Sequence, residues 1–148
     1  LVFKPATPEQ RAQIRAELGI SPGDFVFYHA GGMSQNKGLR FLLPAFAALA
    51  QTHPHVQLLL KGLDSLYSSK RSFEAQFGGL APEVAHAVAS RLRYVGDRLS
   101  YTGMARLYQA SDCYIAPYVG EGFNLPALEA AACGLPVICT AGARPTTS

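Results

Sequence analysis

The chain has 148 residues, of which 49% are hydrophobic and 16% are charged, and its formal net charge is +3. This size and balance predict one globular domain and exclude intrinsic disorder. The lysines and arginines are scattered, which excludes a basic stripe for nucleic acid but is compatible with a small anionic ligand.

Strand-like and helical segments alternate along the sequence. Thr7-Pro-Glu-Gln10 is a capping box, so a first helix is predicted from Pro8 to about Leu18. A short aromatic and β-branched run predicts the first strand at Phe25–Ala30. Further strands are predicted at 56–60, 92–95, 113–116 and 136–139. Further helices are predicted at 37–51, 69–77, 82–91, 101–110 and 126–133, and Pro44 predicts a kink or a late start in the first of these.

This alternation predicts an α/β fold, a Rossmann-like parallel sheet with helices on both faces. Residues 1–24 are interpreted as a linker and lead-in helix, and residues 25–148 as the domain itself. The sequence opens on a strand-like run and closes on Ala143–Ser148 just after another, so we expect truncation at both ends of the domain. Ligands of such sheets bind beyond the carboxyl ends of the strands, which indicates the loops 31–37, 61–64, 96–99 and 117–125.

The three cysteines, Cys113, Cys133 and Cys139, are an odd set without metal-ligand spacing. Each lies in an apolar segment, so all three are predicted to be reduced core residues of a cytoplasmic protein. No apolar run approaches the roughly 20 residues that span a bilayer. We expect any attachment to a membrane surface to be made by parts outside this sequence.

The junction between the fourth strand and the last helix has the features of an anion site. Pro126 suits the first helical turn, so the amides around Asn124 and Leu125 are predicted to be free at a helix N-terminus. Gly122, just before them, would let the backbone come close to a ligand. The sequence therefore predicts a phosphate or another small anion at this junction.

Two glutamates flank this helix start. Glu129 lies about one turn inside a helix that is apolar nearly all round, so its carboxylate needs good hydrogen-bond donors. A ribose diol would supply two donors, and a neighbouring loop that Glu129 caps or salt-bridges is an equal alternative. Glu121 precedes the helix, where it is either a ligand for hydroxyl groups or a solvated loop glutamate.

A second cluster, Gly31–Gly38, follows the first strand. Its glycine pair permits close backbone approach to phosphate and Lys37 supplies a positive charge, although a lysine in a loop is more often simply solvated. The spacing matches neither a dinucleotide fingerprint nor a P-loop. His29 is predicted to be a hydrogen-bonded core histidine. Lys61 and Arg98, at the ends of the second and third strands, are either cleft residues or surface charges.

Together these residues resemble the donor-binding domain of retaining glycosyltransferases of the GT-B fold, the glycosyl transferases group 1 family. The carrying segment is Glu121-Gly-Phe-Asn-Leu-Pro-Ala-Leu-Glu129-Ala-Ala-Ala-Cys-Gly-Leu-Pro-Val-Ile, which is similar to the family's E-x7-E motif and its continuation. The resemblance runs nearly end to end. Supporting matches are Lys37-Gly38, Tyr94-Val-Gly96, Leu107-Tyr-Gln-Ala-Ser-Asp112 and the linker Phe3-Lys-Pro5.

The resemblance implies a role for each matching position. Glu121 would hold hydroxyls of the donor sugar, Glu129 the ribose hydroxyls, and Lys37 the diphosphate, with Glu121 and Lys37 as the catalytic residues. The remaining donor-binding positions would be Gly32, Met33, Arg98, Gly122, Phe123, Asn124 and Leu125. The donor would be a nucleoside-diphosphate sugar, with no metal and no separate cofactor.

The implied reaction is transfer of a hexosyl unit from that donor to a hydroxyl acceptor, with retention at the anomeric carbon. The acceptor, a glycan, lipid or small molecule, would be bound by an N-terminal domain outside this sequence, so the isolated fragment would be inactive. Two alternatives remain open. One is another GT-B enzyme, such as a nucleotide-sugar epimerase or a phosphorylase, and the other is a non-catalytic nucleotide-sugar-binding module.

The sequence departs from the family pattern at two positions. The family usually has arginine where this chain has Gly32, and the loss of a charge-assisted contact costs about 1.5–3 kcal/mol, roughly ten- to a hundredfold in binding. Asn124 replaces a usual glycine, a milder change because asparagine tolerates left-handed backbone.

Overall fold

The computed structural model describes residues 1–141, and the end of the predicted domain, 142–148, lies outside this part. The strands are β1 (Phe25–Ala30), β2 (Val56–Lys61), β3 (Leu92–Val95), β4 (Cys113–Ala116) and β5 (Val137–Cys139). The helices are α1 (Pro8–Glu17), α2 (Leu39–Thr52), α3 (Asp64–Tyr67), α4 (Ser69–Gly78), α5 (Pro82–Ala89), α6 (Tyr101–Ala110) and α7 (Leu125–Ala132). A single 3-10 turn, Gln35–Lys37, precedes α2.

The five strands form one parallel sheet in the order β3-β2-β1-β4-β5. The central strand is β1, in which Tyr28 is in register with Leu59 of β2 on one side and with Tyr114 of β4 on the other. The chain runs outward from β1 to β3 and then returns to β4. The strand order therefore reverses between β1 and β4, where sheets of this kind open a crevice for ligands.

Each face of the sheet has its own core, because alternate strand residues point to opposite faces. On one face α1, α6 and α7 cover Tyr28, Tyr114 and their neighbours. On the other, α2, α4 and α5 cover Leu58, Leu60 and their neighbours. This arrangement confirms the predicted α/β class, with a parallel sheet and helices on both faces.

Asp112 joins α1 to the start of β4. Its carboxylate accepts hydrogen bonds from the Val26 amide at 2.8 Å, from Arg11 at 2.6 Å and from Arg15 at 3.1 Å. Arg15 is 7% exposed and also donates to the carbonyl of Ala110 at 2.8 Å. This network fixes the amino ends of β1 and β4, whereas their carboxyl ends lie at the opposite end of the strands, away from it.

The predicted strands agree with the observed ones to within one residue at each end. The second helix, α2, begins at Leu39 after the 3-10 turn and continues through Pro44, so the proline does not set its start. The short helix α3 was not predicted. Its Asp64 carboxylate accepts hydrogen bonds from the Tyr94 hydroxyl at 2.7 Å and from the Lys70 amide at 2.8 Å, and these contacts come from distant or later parts of the chain.

All three cysteines are free, and Cys113 and Cys133 are buried as predicted. The prediction for Cys139 was wrong, because this residue is exposed. It is the last residue of β5, an edge strand of the described sheet that pairs with β4 on one side only. Within residues 1–141, no helix has the length and apolar character needed to cross a membrane.

Candidate functional site

Two cavities open at the carboxyl ends of the strands and share the glycine pair Gly31-Gly32 as a common wall. The first, which we call the Lys61 cavity, has a volume of about 290 Å³, and the second, the Lys37 cavity, about 450 Å³. Tyr67 lines both of them. Three of the predicted loops, 31–37, 61–64 and 96–99, therefore supply residues to these cavities, and Pro126, just after the fourth loop, lines the Lys61 cavity.

The Lys37 side chain is fixed at the mouth of the Lys37 cavity by the backbone around it. Its aliphatic stem crosses Gly31 so closely that a Cβ at that position would lie 3.0 Å from Lys37 Cε. The next residue, Gly38, has a φ of 76°, and a Cβ there would lie 1.8 Å from the carbonyl oxygen of Pro117. These close approaches bring the end of the 3-10 turn against the loop that follows β4.

The Lys37 ammonium group donates to Oε2 of Glu121, which lies 84 residues later in the chain. The side chains are 20% and 19% exposed, so the ion pair is largely shielded from water. Two predicted site residues are thus in direct contact. Because an ammonium group has three donors and a carboxylate several acceptor sites, each partner keeps capacity for a ligand.

The start of α7 presents unpaired backbone amides next to this pair. Asn124 has left-handed backbone, with φ 52° and ψ 54°, as its tolerance of that region allows, and its side chain does not cap the helix. Phe123 and Leu125 are exposed, and a Cβ at Gly122 would meet nothing within 4 Å. The segment therefore has room for a ligand against its amides, and Pro126 lines the Lys61 cavity.

Glu129 lies three residues after Pro126 and hence on the same face of α7. Its carboxylate is half-buried, and Oε2 accepts a hydrogen bond of 2.8 Å from the hydroxyl of Tyr108. Within the described residues no cation pairs with Glu129. Among the described residues, the other carboxylate oxygen accepts no hydrogen bond and so keeps its acceptor capacity.

Lys61 and Arg98 both line the Lys61 cavity. The Lys61 side chain is buried rather than on the surface, and its ammonium group donates to the carbonyl oxygens of Gly62 and, at 2.8 Å, of Asp97. Burial lowers the pKa of Lys61, and the nearby carboxylates of Asp64 and Asp97 oppose this shift. Arg98 is exposed.

Two further predictions concern buried residues. The side chain of Met33 lies in the core beneath α2, so any donor contact it makes has to come from its backbone. His29 is the predicted core histidine, with Nδ1 2.8 Å from the carbonyl oxygen of Ile115. Burial lowers the pKa of His29 to about 4, so its ring is neutral at pH 7.

The sequence reasoning missed two tyrosines of the site, Tyr67 and Tyr108. Tyr67 belongs to the unpredicted α3, and its ring atoms lie 3.5–3.8 Å from the position of a Cβ on Gly32. The exposed Tyr67 ring is thus within van der Waals distance of a side chain at position 32, where the family pattern has an arginine. Tyr108 could have been found from its place on the apolar face of α6, since a buried tyrosine hydroxyl usually needs a partner.

Known proteins resemble this chain over nearly its whole length. The family described as "Glycosyl transferases group 1" matches residues 24–147. A D-inositol 3-phosphate glycosyltransferase from Segniliparus rotundus is 36% identical over 137 residues, which are 88% of this chain and 28% of that protein. A GDP-mannose-dependent monoacylated alpha-(1-6)-phosphatidylinositol monomannoside mannosyltransferase from Corynebacterium glutamicum is 30% identical over 98% of this chain and 37% of its own length.

Among solved structures, a sucrose-phosphate synthase from Thermosynechococcus elongatus matches with a TM-score of 0.75 and 27% identity, over 96% of this chain and 33% of the other. The described sheet is the Rossmann-like half of a GT-B fold, as the resemblance implied. The chain spans about a third of the length of these relatives. On the sequence match over residues 24–147, the chain belongs to the glycosyl transferases group 1 family.

Proposed function

We propose that this domain binds a nucleoside-diphosphate sugar and that the full-length protein transfers the hexosyl unit to a hydroxyl acceptor with retention. The observation that carries the proposal is the meeting of Lys37, Glu121 and the open start of α7 at the rim of adjoining cavities. The named donor of the Corynebacterium relative, GDP-mannose, belongs to this chemical class.

The diphosphate is placed between the Lys37 ammonium group and the amides of residues 123–125, since the Gly122 amide already donates to Oε1 of Glu121 at 3.3 Å. Free amides at a helix N-terminus, together with the helix dipole, favour an anion at this point. The Gly31-Gly32 backbone and Arg98 line the space on the other side. These groups stabilise the charge that develops on the departing diphosphate, which is the main catalytic contribution we assign to the domain.

The two glutamates hold the two ends of the donor. Glu129 takes the ribose hydroxyls with its free oxygen, and Glu121 takes hydroxyls of the sugar. We place Glu121 as a ligand rather than a covalent nucleophile, because its ion pair with Lys37 stabilises the charge that a nucleophile would give up. The proposed attack is from the front side, with the leaving phosphate accepting the proton of the acceptor and no metal.

The acceptor is assigned to the part of the protein beyond this domain. A glycan, a lipid or a small molecule fits the chemistry, and the two relatives named above act, by their names, on an inositol phosphate and a phosphatidylinositol mannoside. We place the protein in the cytoplasm, since all three cysteines are free and the cytosol keeps thiols reduced. A lipid acceptor would bring it to the membrane surface.

Calorimetric titration of the full-length protein with UDP, GDP and ADP tests the donor site. One diphosphate is expected to bind, and Glu129→Ala is expected to weaken it roughly tenfold or more, because two hydrogen bonds to a charged group are lost. The exposed Glu83 on α5 supplies the matched control, and Glu83→Ala is expected to leave affinity unchanged.

Failure of all three diphosphates to bind a protein that circular dichroism finds folded would overturn the donor-site proposal. Equal binding by Glu129→Ala and the original protein would overturn the ribose role alone. Product analysis then tests the reaction, since release of free sugar or a requirement for inorganic phosphate would contradict transfer.

The contact between Tyr67 and Gly32 predicts how an arginine at position 32 would behave. Gly32→Arg alone is expected to leave nucleoside diphosphate affinity unchanged, because its Cβ would lie in van der Waals contact with Tyr67 and we expect that ring to turn the arginine side chain away from the diphosphate. In the double variant with Tyr67→Ala, affinity is expected to rise roughly tenfold through a charge-assisted contact. Titration calorimetry measures both, with Tyr67→Ala alone as the control. A gain from Gly32→Arg alone would contradict the obstruction by Tyr67.

A further inference from the structure

A cluster of buried aromatic rings places the hydroxyl of Tyr108 in contact with Glu129, the residue predicted to bind the ribose. Tyr108 is fully buried, and its ring packs edge-on against Tyr28, with centroids 4.8 Å apart, and against Phe3 at 5.9 Å. Tyr114 packs against it at 6.0 Å. With rings on several sides, the Tyr108 ring has one orientation, so the position of its hydroxyl is set by packing.

In its hydrogen bond with Glu129, the Tyr108 hydroxyl is the donor. Burial is the main cause that raises the pKa of Tyr108 far above its ordinary value, so the hydroxyl keeps its proton throughout the neutral range. The 2.8 Å bond therefore runs from Tyr108 to Oε2 of Glu129. One carboxylate oxygen is held by the core and the other is left for a ligand.

The pair also lies directly behind the wall of the Lys61 cavity. Met104 and Pro126 line that cavity. Tyr108 follows Met104 by four residues on α6, and Glu129 follows Pro126 by three on α7, so each lies on the same helix face as its lining residue. The hydrogen bond thus joins the two helices one turn behind the cavity.

We propose that Tyr108 is the positioning residue for Glu129, and that it holds the carboxylate in the orientation that selects a ribose over a deoxyribose. This inference rests on the proposed function, in which Glu129 binds the ribose hydroxyls. A glutamate side chain loses considerable rotamer freedom when it is fixed. Tyr108 fixes it before the ligand arrives, so the ribose hydroxyls gain a preorganised acceptor.

The test compares nucleoside diphosphates that differ in one hydroxyl, titrated into the full-length protein. The probe is the diphosphate whose base binds best, together with its 2′-deoxy and 3′-deoxy forms. Tyr108→Phe keeps the ring and removes the hydroxyl. It is expected to weaken the ribonucleotide roughly tenfold and to leave at least one deoxy form nearly unaffected, which shrinks the ribose preference of the protein.

Tyr114→Phe is the matched control. Tyr114 is as deeply buried in the same cluster, but its hydroxyl donates to the carbonyl oxygen of Ala30 at 3.3 Å and not to Glu129. Any effect of Tyr114→Phe on packing should change ribo- and deoxyribonucleotide binding equally, so that the ribose preference stays as it was.

The outcomes distinguish the positioning role of Tyr108 from the ribose-binding role of Glu129 on which it rests. If Glu129→Ala removes the ribose preference and Tyr108→Phe leaves it intact, the positioning role is overturned while the ribose site stands. Equal weakening of both nucleotide forms by Tyr108→Phe would also overturn it, because a purely structural role acts in that way. If Glu129→Ala leaves ribonucleotide binding unchanged, the ribose role itself has failed.

Discussion

Lys37→Ala is expected to lower the kcat of the full-length protein by roughly 10²–10³-fold, the size found when one preorganised charge-stabilising donor is removed from an active site. In the proposed reaction Lys37 balances the charge that builds up on the departing diphosphate. Steady-state measurement of product formation from the nucleotide sugar, once the donor is identified, gives kcat directly.

Lys70→Ala provides the comparison for this variant. Lys70 is exposed on α4 and lines neither cavity, so its loss is expected to leave kcat unchanged. Because Lys37→Ala also leaves Glu121 without its partner, unfolding of each variant is followed by circular dichroism. A folded Lys37→Ala protein with near-normal kcat would exclude Lys37 from catalysis.

Gly38→Ala is expected to lower the free energy of unfolding by about 2–5 kcal/mol. Left-handed backbone costs a residue with a Cβ roughly 1–2 kcal/mol, and overpacking costs roughly 1–3 kcal/mol more. Here the added Cβ would lie 1.8 Å from the Pro117 carbonyl oxygen, so backbone has to move. Since that movement separates Lys37 from Glu121, diphosphate affinity should fall as well.

Urea denaturation measures the stability change, and Gly23→Ala is its control. A Cβ on Gly23 meets nothing within 4 Å, so this substitution is expected to change stability by less than about 1 kcal/mol. Equal stability of the two alanine variants would show that the chain accommodates a side chain at position 38 without moving the Pro117 loop.

The fold was predictable because its elements are set by local patterns. Buried parallel strands are short apolar runs between turn residues, and amphipathic helices repeat every three or four residues. The four-residue helix α3 has too few residues for such a period. It depends on Asp64, whose carboxylate packs against Gly96. A Cβ at position 96 would lie only 1.8 Å from Oδ2 of Asp64. Only the folded chain brings these two residues together.

Individual residues of the candidate site could be predicted from the sequence, but the contacts between them could not. The strand ends and the proline at the start of α7 indicated an anion site from sequence alone. The pairing of Lys37 with Glu121 and of Tyr108 with Glu129 depends on how distant segments pack, which no periodicity records. The burial of Lys61 was equally hidden, because its charge is satisfied by backbone carbonyls that sequence does not distinguish.

The reversal of strand order has a consequence for how the molecule assembles during synthesis. The strands β1, β2 and β3 follow one another along the chain and can pair as soon as they are made. The strand on the other side of β1 is β4, which is synthesised much later. The Val26 amide, for example, donates to the carboxylate of Asp112, 86 residues further along the chain. Contacts of such long range close slowly. Glu121 and the start of α7 belong to this later part of the chain, so a nascent chain can bring Lys37 and Glu121 into contact only after β4 and α7 have packed beside β1.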